Sequence, residues 1–395
     1  MKATFAVVLC LLLAVPSVAA IPCDADGNDR LSEGEMVGAI FSYLDVTYRN
    51  GTGTAPSPAD LQDASFIYHH WGGAPGECTD AAGRTLVFER PIRAVAVMSP
   101  QTLETIRAIG YPMRYVRGAE HSILMDRQFF PDLVGCRAVG SLDDPDAAAL
   151  ASLFPDVVFA PVGPEGDAVA DAASALGIPV LRFSCASPAS VRDEALAIGS
   201  LLGCQDGAED LCRFLDEQDE AVRSCLDGLS ADQVQAVYVE SFPAYIACGS
   251  GTPAGDLVLL GGGSPVPAGS GTFGVDDGVV IAAAPAVVIK LVGEDPSRFG
   301  GFGDRLPLRF IEVRNAIGNR PGWSALPAER EERVYLIHAS LVEGPRYVVG
   351  LHYSARWLHP DRCAGLDPAA VHEEYLSRFC GLSGVSGTFV YPGDA

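Results

Sequence analysis

Oxygen-bearing side chains fall at positions 1, 3, 5, 9 and 12 of the run Asp24-Ala25-Asp26-Gly27-Asn28-Asp29-Arg30-Leu31-Ser32-Glu33-Gly34-Glu35. That spacing lets Asp24, Asp26, Asn28 and Ser32, with the main chain of Arg30 between them, wrap a calcium ion that Glu35 closes with two oxygens. Leu31 provides the apolar residue at position 8. Position 6 normally takes glycine because the turn there is sharp, and here it is Asp29. Aspartate adopts left-handed backbone angles more readily than most residues, though at a cost. The competing reading is an acidic capped turn that holds no metal.

The remaining candidates for chemistry are sparse. No GxSxG elbow, HExxH pair or phosphate-cradling GxxxxGK occurs, which argues against the common hydrolase and nucleotide-binding chemistries. Gly249-Ser250-Gly251 and Gly261-Gly262-Gly263 are glycine-rich, but neither sits in a GxGxxG strand-to-helix setting. His69-His70 would point about 100° apart on a helix, so one metal does not easily take both, and a surface or interface role fits better.

Two buried-strand patterns organise what lies around these residues. Pro155-Asp156-Val157-Val158-Phe159-Ala160-Pro161-Val162-Gly163 is echoed by Pro285-Ala286-Val287-Val288-Ile289-Lys290-Leu291-Val292-Gly293, and each follows a small-residue helical run. Continuous runs of β-branched and aromatic residues suit strands covered on both faces by helices. A strand environment that occurs twice suggests two similar lobes. In such sheets ligands bind at the loops beyond the carboxyl ends of the strands.

The chain of 395 residues has 48% hydrophobic residues, enough for a large core, and a formal charge of -23. That excess of carboxylates disfavours nucleic acid and anionic lipid as partners. Lys2, the apolar run Ala3 to Val15 and the small residues ending at Ala20 read as a secretory signal over 1–20, with a retained anchor as the alternative. An extracytoplasmic setting is expected, whether secreted, periplasmic or at the cell surface. Ten cysteines follow Cys10 without a CxxC pair, so disulfides are the expected role for several, with connectivity open. Cys363 and Cys380 flank one predicted helix.

In chain order, a small helical module is expected over 21–75, with Met36, Ile40, Phe41 and Leu44 at helical spacing in its first helix. Ser57 and Pro58 start its second helix, with Leu61, Ala64, Ile67 and Tyr68 inward. Strands then alternate with helices over 83–187: Arg84–Phe88, Ala94–Met98, the helix of Leu103, Ile106 and Ile109, and Tyr115–Gly118. From 188 to 229 the pattern is helical, interrupted between Gly203 and Gly207, and alternation resumes at Val234 to run through 384. The expected fold is α/β, two Rossmann-like lobes joined by a long helix and preceded by the small module.

These residues resemble two families. The loop from Asp24 to Glu35 is similar to the EF-hand-like calcium loops of dockerin modules. From Gly83 to Leu382 the chain resembles the solute-binding proteins of ABC importers for iron-siderophore, haem and cobalamin. That second likeness rests on Arg84-Thr85-Leu86, Arg93 to Ser99, Val139-Gly140-Ser141, Leu153 to Val158, Gly261-Gly262-Gly263, Pro285 to Ile289, Arg320-Pro321-Gly322-Trp323, Arg333 to Ile337 and Trp357 to Leu382.

The resemblance implies capture of a metal chelate in a cleft between lobes, with no catalysis, and presentation to an ABC permease. It assigns ligand contacts to Ser99, the Arg117–His121 loop, Pro161 and Ser184 in the first lobe. In the second lobe it assigns Ser241, Tyr245, Lys290, His338, Arg346 and Tyr347. Tyrosine and arginine suit flat, charged ligands, and His121 or His338 can ligate a metal or serve an ordinary hydrogen-bonding role. Lys290 reads equally as a ligand contact or an ion pair at the sheet rim. The glutamates with which the family docks to its permease are absent, since their positions hold Ala148 and Gly278, with Asp144, Asp146, Asp276 and Asp277 nearby. A secreted scaffold attached through the calcium-loop module is the alternative function.

Overall fold

Helix α1 (Glu33–Arg49) starts at the end of the acidic loop, and α2 (Pro58–His70) starts where Ser57 accepts a hydrogen bond from the Asp60 amide and Pro58 takes the first turn. The computed structural model describes residues 21–49, 51–293, 299–304 and 307–392. The expected signal segment at 1–20 therefore lies outside the described residues. By compactness the chain divides into two units, Met1–Glu77 with Val87–Pro91, and Cys78–Leu86 with Ile92–Ala395.

In the first unit Ile21, Leu31, Met36, Ala64 and Ile67 form a small core beside Cys23 and Trp71. The Leu31 amide donates to the Gly73 carbonyl at 2.6 Å, tying the acidic loop to the end of α2. Periodicity located α1, and of its four residues at helical spacing Met36 enters the core. Ile40, Phe41 and Leu44 are 44%, 67% and 41% exposed, because only the first turn of the helix meets the core. Tyr68 of α2 is likewise exposed.

Strands β1 (Gly76–Thr79) and β2 (Thr85–Phe88) pair with each other in a separate two-stranded sheet. The expectation that Arg84–Phe88 opens the sheet of the first lobe is corrected accordingly. That sheet is built from β3 (Val95–Val97), β4 (Val116–Ala119), β5 (Arg137–Ala138), β6 (Val157–Ala160) and β7 (Val180–Arg182). It is parallel throughout, in the order β5-β4-β3-β6-β7. Its connections carry α3 (Pro100–Ala108), α4 (His121–Met125), α5 (Ala147–Leu153) and α6 (Asp167–Ala175). All four residues of β6 are buried, and Val158 and Ala160 pack with Leu150, Val169 and Val180. Each large aliphatic side chain buried in this way contributes about 1.5–3 kcal/mol of transfer free energy.

Helices α7 (Val191–Leu202) and α8 (Gln205–Cys225) connect the lobes. Gly203 ends α7 at φ +69°, whereas Gly207 lies inside α8. The break is thus shorter than expected. Gly207 is required for close approach, since a Cβ there would sit 2.1 Å from the Ile109 carbonyl oxygen.

The second lobe runs β8 (Gln235–Glu240), β9 (Ile246–Cys248), α9 (Pro253–Leu260), β10 (Gly263–Pro265), β11 (Thr272–Gly274), α10 (Asp277–Ala283), β12 (Val287–Val292) and β13 (Gly301–Phe302). It continues with α11 (Leu308–Gly318), α12 (Pro327–Arg330), β14 (Val334–His338), α13 (Tyr347–Leu358), α14 (Pro368–Cys380), β15 (Gly387–Thr388) and β16 (Val390–Tyr391). Its sheet has a parallel centre, in which β10, β8, β12 and β14 pair, and antiparallel margins at β9, β11 and β16.

The echoed stretches are structural equivalents. Asp146 caps α5 and Asp276 caps α10, each accepting from the amide three residues on. Both helices end in a left-handed residue, Phe154 at φ +45° and Ala284 at φ +44°, before feeding β6 and β12. Among the described residues one disulfide joins Cys225 to Cys363, and eight cysteines are free. Cys363 therefore staples the end of α8 to the segment between α13 and α14, while Cys380 is a free, buried thiol in the last turn of α14.

Candidate functional site between the lobes

At the strand ends of the first lobe, side chains mostly hold the loops in place. The Ser99 hydroxyl caps α3, accepting from the Thr102 amide at 3.3 Å and donating to Gln101 Oε1 at 3.0 Å. His121 opens α4 and is exposed, with its amide donating to the Gly140 carbonyl at 3.1 Å. The buried Pro161 carbonyl accepts from Arg182 Nε at 2.7 Å, and Ser184 Oγ accepts from the Val162 amide at 3.0 Å. Glu194 Oε2 accepts from the Ser184 and Cys185 amides at 2.8 and 2.7 Å, fixing the turn after β7.

In the second lobe Lys290 is buried within β12. Its Nζ lies 2.9 Å from Glu240 Oε1 and donates to the Ser241 and Phe242 carbonyls. Arg320 grips both oxygens of Glu240 at 2.5 and 2.8 Å. Its guanidinium lies 4.5 Å from the ring centres of both Tyr245 and Trp323. Asp277 Oδ1 accepts from the Tyr245 hydroxyl at 2.8 Å and from Trp323 Nε1 at 2.7 Å. Tyr245 is held at φ +63°, an angle this network fixes.

Two cations thus share one carboxylate. Burial opposes the Glu240 charge, but the Arg320 hydrogen bonds and the Lys290 charge outweigh it and hold its pKa below normal. For Lys290 burial, aided by the nearby Arg320 charge, outweighs the attraction of Glu240, and its pKa falls. The side chains of Tyr245 and Lys290 are brought together through Arg320 and Glu240.

Hydrogen bonds and an ion pair cross between the lobes. Gln101 Nε2 donates to Glu343 Oε2 at 2.6 Å, and the Gly344 amide donates to the Ala186 carbonyl at 3.2 Å. Arg346 is 4% exposed and pairs with Glu104 of α3 at 2.8 and 2.9 Å. Its guanidinium also lies 4.1 Å from the ring centre of Phe129. Tyr347, next in sequence, turns its hydroxyl to Asp219 of α8 at 2.9 Å, and Asp219 in turn holds Arg192 at 2.6 Å.

His338 stands at the end of β14 with Nδ1 2.8 Å from Ser340 Oγ. Burial first, and then the Arg346 charge, push its pKa down to about 4, so its imidazole is neutral at neutral pH. The same two causes take His372 down to about 3. His338 and Arg346 therefore share one environment, whereas Tyr347 is committed to the connecting helix. Sequence reading did not single out Glu104, Phe129, Phe302 or His372. Glu104 could have been noticed as a carboxylate inside an otherwise apolar helix.

The acidic loop of the first unit brings three carboxylates together. Carboxylate oxygens of Asp24, Asp26 and Glu35 lie within 4.8 Å of one another. Asp24 accepts from the amides of Gly27, Asn28 and Asp29, and Asp29 takes φ +57°, the left-handed angle its position demands. Hydrogen bonds from the Ser32 amide and hydroxyl, then the Ala25 amide, lower the Glu35 pKa to about 2. Asn28 Oδ1 instead accepts from the Arg30 amide, and the Ser32 hydroxyl donates to Glu35.

Comparison with solved structures places this fold among known binding proteins. A TroA-like periplasmic binding protein, FepB from Veillonella parvula, is 21% identical over 80% of this chain and 99% of its own, with a TM-score of 0.68. The molybdate-bound MolA of Haemophilus influenzae is 20% identical over 78% and 98%, with a TM-score of 0.64. CeuE of Helicobacter pylori, in a nickel–histidine complex, is 17% identical over 78% and 97%, with a TM-score of 0.62. No curated protein matches the chain. The family model described as periplasmic binding protein matches residues 137–341, more than half of the sequence and parts of both lobes. With that match and this two-lobed fold, the chain belongs to the periplasmic binding proteins.

Proposed function

We propose that this protein captures a metal chelate outside the cytoplasm and presents it to an ABC permease. The observation that supports this most is His338, a neutral imidazole at a strand end between the lobes. Its Nδ1 is engaged by Ser340 and the Arg346 cation lies nearby. Nδ1 accepts from the Ser340 amide at 3.2 Å, so Nε2 carries the proton of the neutral ring, and this N–H and the guanidinium suit the anionic groups of a chelate. The relatives bound to molybdate and to nickel with histidine take metal-centred solutes, in keeping with this reading. Ser99, His121, Pro161 and Ser184 on one side, with Tyr245 and Lys290 on the other, mark the loops that would border the ligand. A thermal-shift panel of ferric siderophores, haem and cobalamin tests it, together with the absorbance of protein purified from its source. A rise in melting temperature with one of them is expected, and no response to any would overturn it.

A second proposal concerns calcium in the acidic loop, supported by the convergence of Asp24, Asp26 and Glu35. Calcium should stabilise the first unit, and Glu35→Ala should abolish that effect. Indifference of the unmutated protein to calcium rejects the site. Should no solute bind while a partner is retained through residues 21–75, the scaffold function is favoured instead.

A further inference from the structure

We propose that Phe302 is a displaceable plug, whose ring fills a pocket at the lobe junction that accepts a planar aromatic anion. This rests on reading the lobe junction as the ligand site. Phe302 stacks on Phe129 of the opposite lobe, with centroids 5.4 Å apart and planes 7° from parallel. Phe389 meets it edge-on at 4.9 Å, and His372 lies at 6.1 Å. The Arg346 guanidinium completes the surround at 5.8 Å from the same ring. Stacked and edge-on neighbours at these distances are what a flat aromatic ring requires.

The walls also present unused polar atoms. Glu104 takes Nε and Nη2 of Arg346, leaving the buried Nη1 without a partner, and His372 Nε2 is buried without one as well. Buried donors left unpaired are unfavourable, and a charged donor is best matched by an anionic acceptor. A phenyl ring fills the space but cannot satisfy these groups. A flat ring bearing a carboxylate would do both.

The plug is lightly held. Its strand, β13, has two residues and pairs only with the two residues of β15, apart from the main sheet of the lobe. Gly301 and Gly303 bracket Phe302 at φ +77° and +81°, so the ring sits on a glycine-flanked turn. The backbone ties include the Gly303 amide to the Ser386 carbonyl, the Gly300 amide to Asp304 Oδ2 and Thr388 Oγ1 to the Asp304 carbonyl, each at 2.9 Å.

Titration calorimetry with 2-naphthoate, an aromatic anion, and 2-naphthol, its uncharged counterpart at neutral pH, tests the proposal. Phe302→Ala should bind one equivalent of 2-naphthoate at least tenfold more tightly than the unmutated protein does, and at least tenfold more tightly than it binds 2-naphthol. Phe302→Leu should show the same order with a smaller gain. Equal affinities in mutant and unmutated protein, or no preference for the anion, overturn the idea. So does loss of cooperative folding in both variants, because a ring the fold cannot spare is not a plug. The probes contain no metal, so failure here is separable from failure of the chelate panel.

Discussion

Glu104 and Arg346 are separated by 242 residues in sequence yet meet as a bidentate ion pair, with side chains 4% and 5% exposed. One comes from α3 of the first lobe and the other from the start of α13 in the second. Arginine matches a carboxylate in this two-pronged manner where lysine cannot. Together with Gln101–Glu343 and Gly344–Ala186, the pair joins the lobes by direct contact as well as through α8.

Breaking this pair from one side leaves a buried charge alone, which costs about 3–5 kcal/mol. Glu104→Gln and Arg346→Met should each lower stability in urea by that order. The double variant Glu104→Leu/Arg346→Met should recover most of the loss, because both charges are then removed. An additive double variant would show that the two residues act independently.

The triad in the second lobe predicts an order of effects. Glu240→Gln strands two buried cations, whereas Lys290→Met leaves Glu240 still held by Arg320 through two hydrogen bonds. Urea denaturation should therefore find the first substitution the more damaging, by about 2 kcal/mol or more. Lys290 is also the only lysine after Lys2, and it is 6% exposed. Amine-reactive reagents should thus label it in denatured protein and spare it in the native state.

Two buried histidines give the protein an acid-sensitive window. The folded pKa of His338 is about 4 and that of His372 about 3, against a usual value near 6.5. Above pH 6.5 both states are neutral and the full stability is present. As pH falls from 6.5 toward these values, only the unfolded chain takes up the protons, and stability is lost. Between pH 7 and 5 the loss should be about 2 kcal/mol per histidine, with His338→Gln and His372→Gln each flattening the profile. A flat profile in the unmutated protein would contradict the burial of these rings.

The Cys225–Cys363 bond closes a loop of 138 residues. By loop entropy its reduction should destabilise the protein by about 5 kcal/mol. Thiol titration in denaturant should find eight free cysteines between residues 21 and 395, and two more after reduction. Cysteine number and compartment suggested more bridges than that. Counting cysteines cannot show which sulfurs come within bonding distance; the fold places only this pair there among the described residues.

The sequence by itself determined the α/β alternation, the two equivalent lobes and the helical connection, because these follow from local signals. Strand burial writes continuous apolar runs, as in Val157–Ala160 and Val287–Val292, and Ser57, Asp146 and Asp276 cap helices through atoms three residues away. The clustering of Asp24, Asp26 and Glu35 was legible too, since they lie within twelve residues. Only the tertiary structure decided the partners at the lobe junction. Arg346 and His338 could be named from the loops they occupy, but Glu104, Phe129, Phe302 and His372 reach them from distant parts of the chain. Pairing over such separations is set by how the lobes pack, and no local spacing records it.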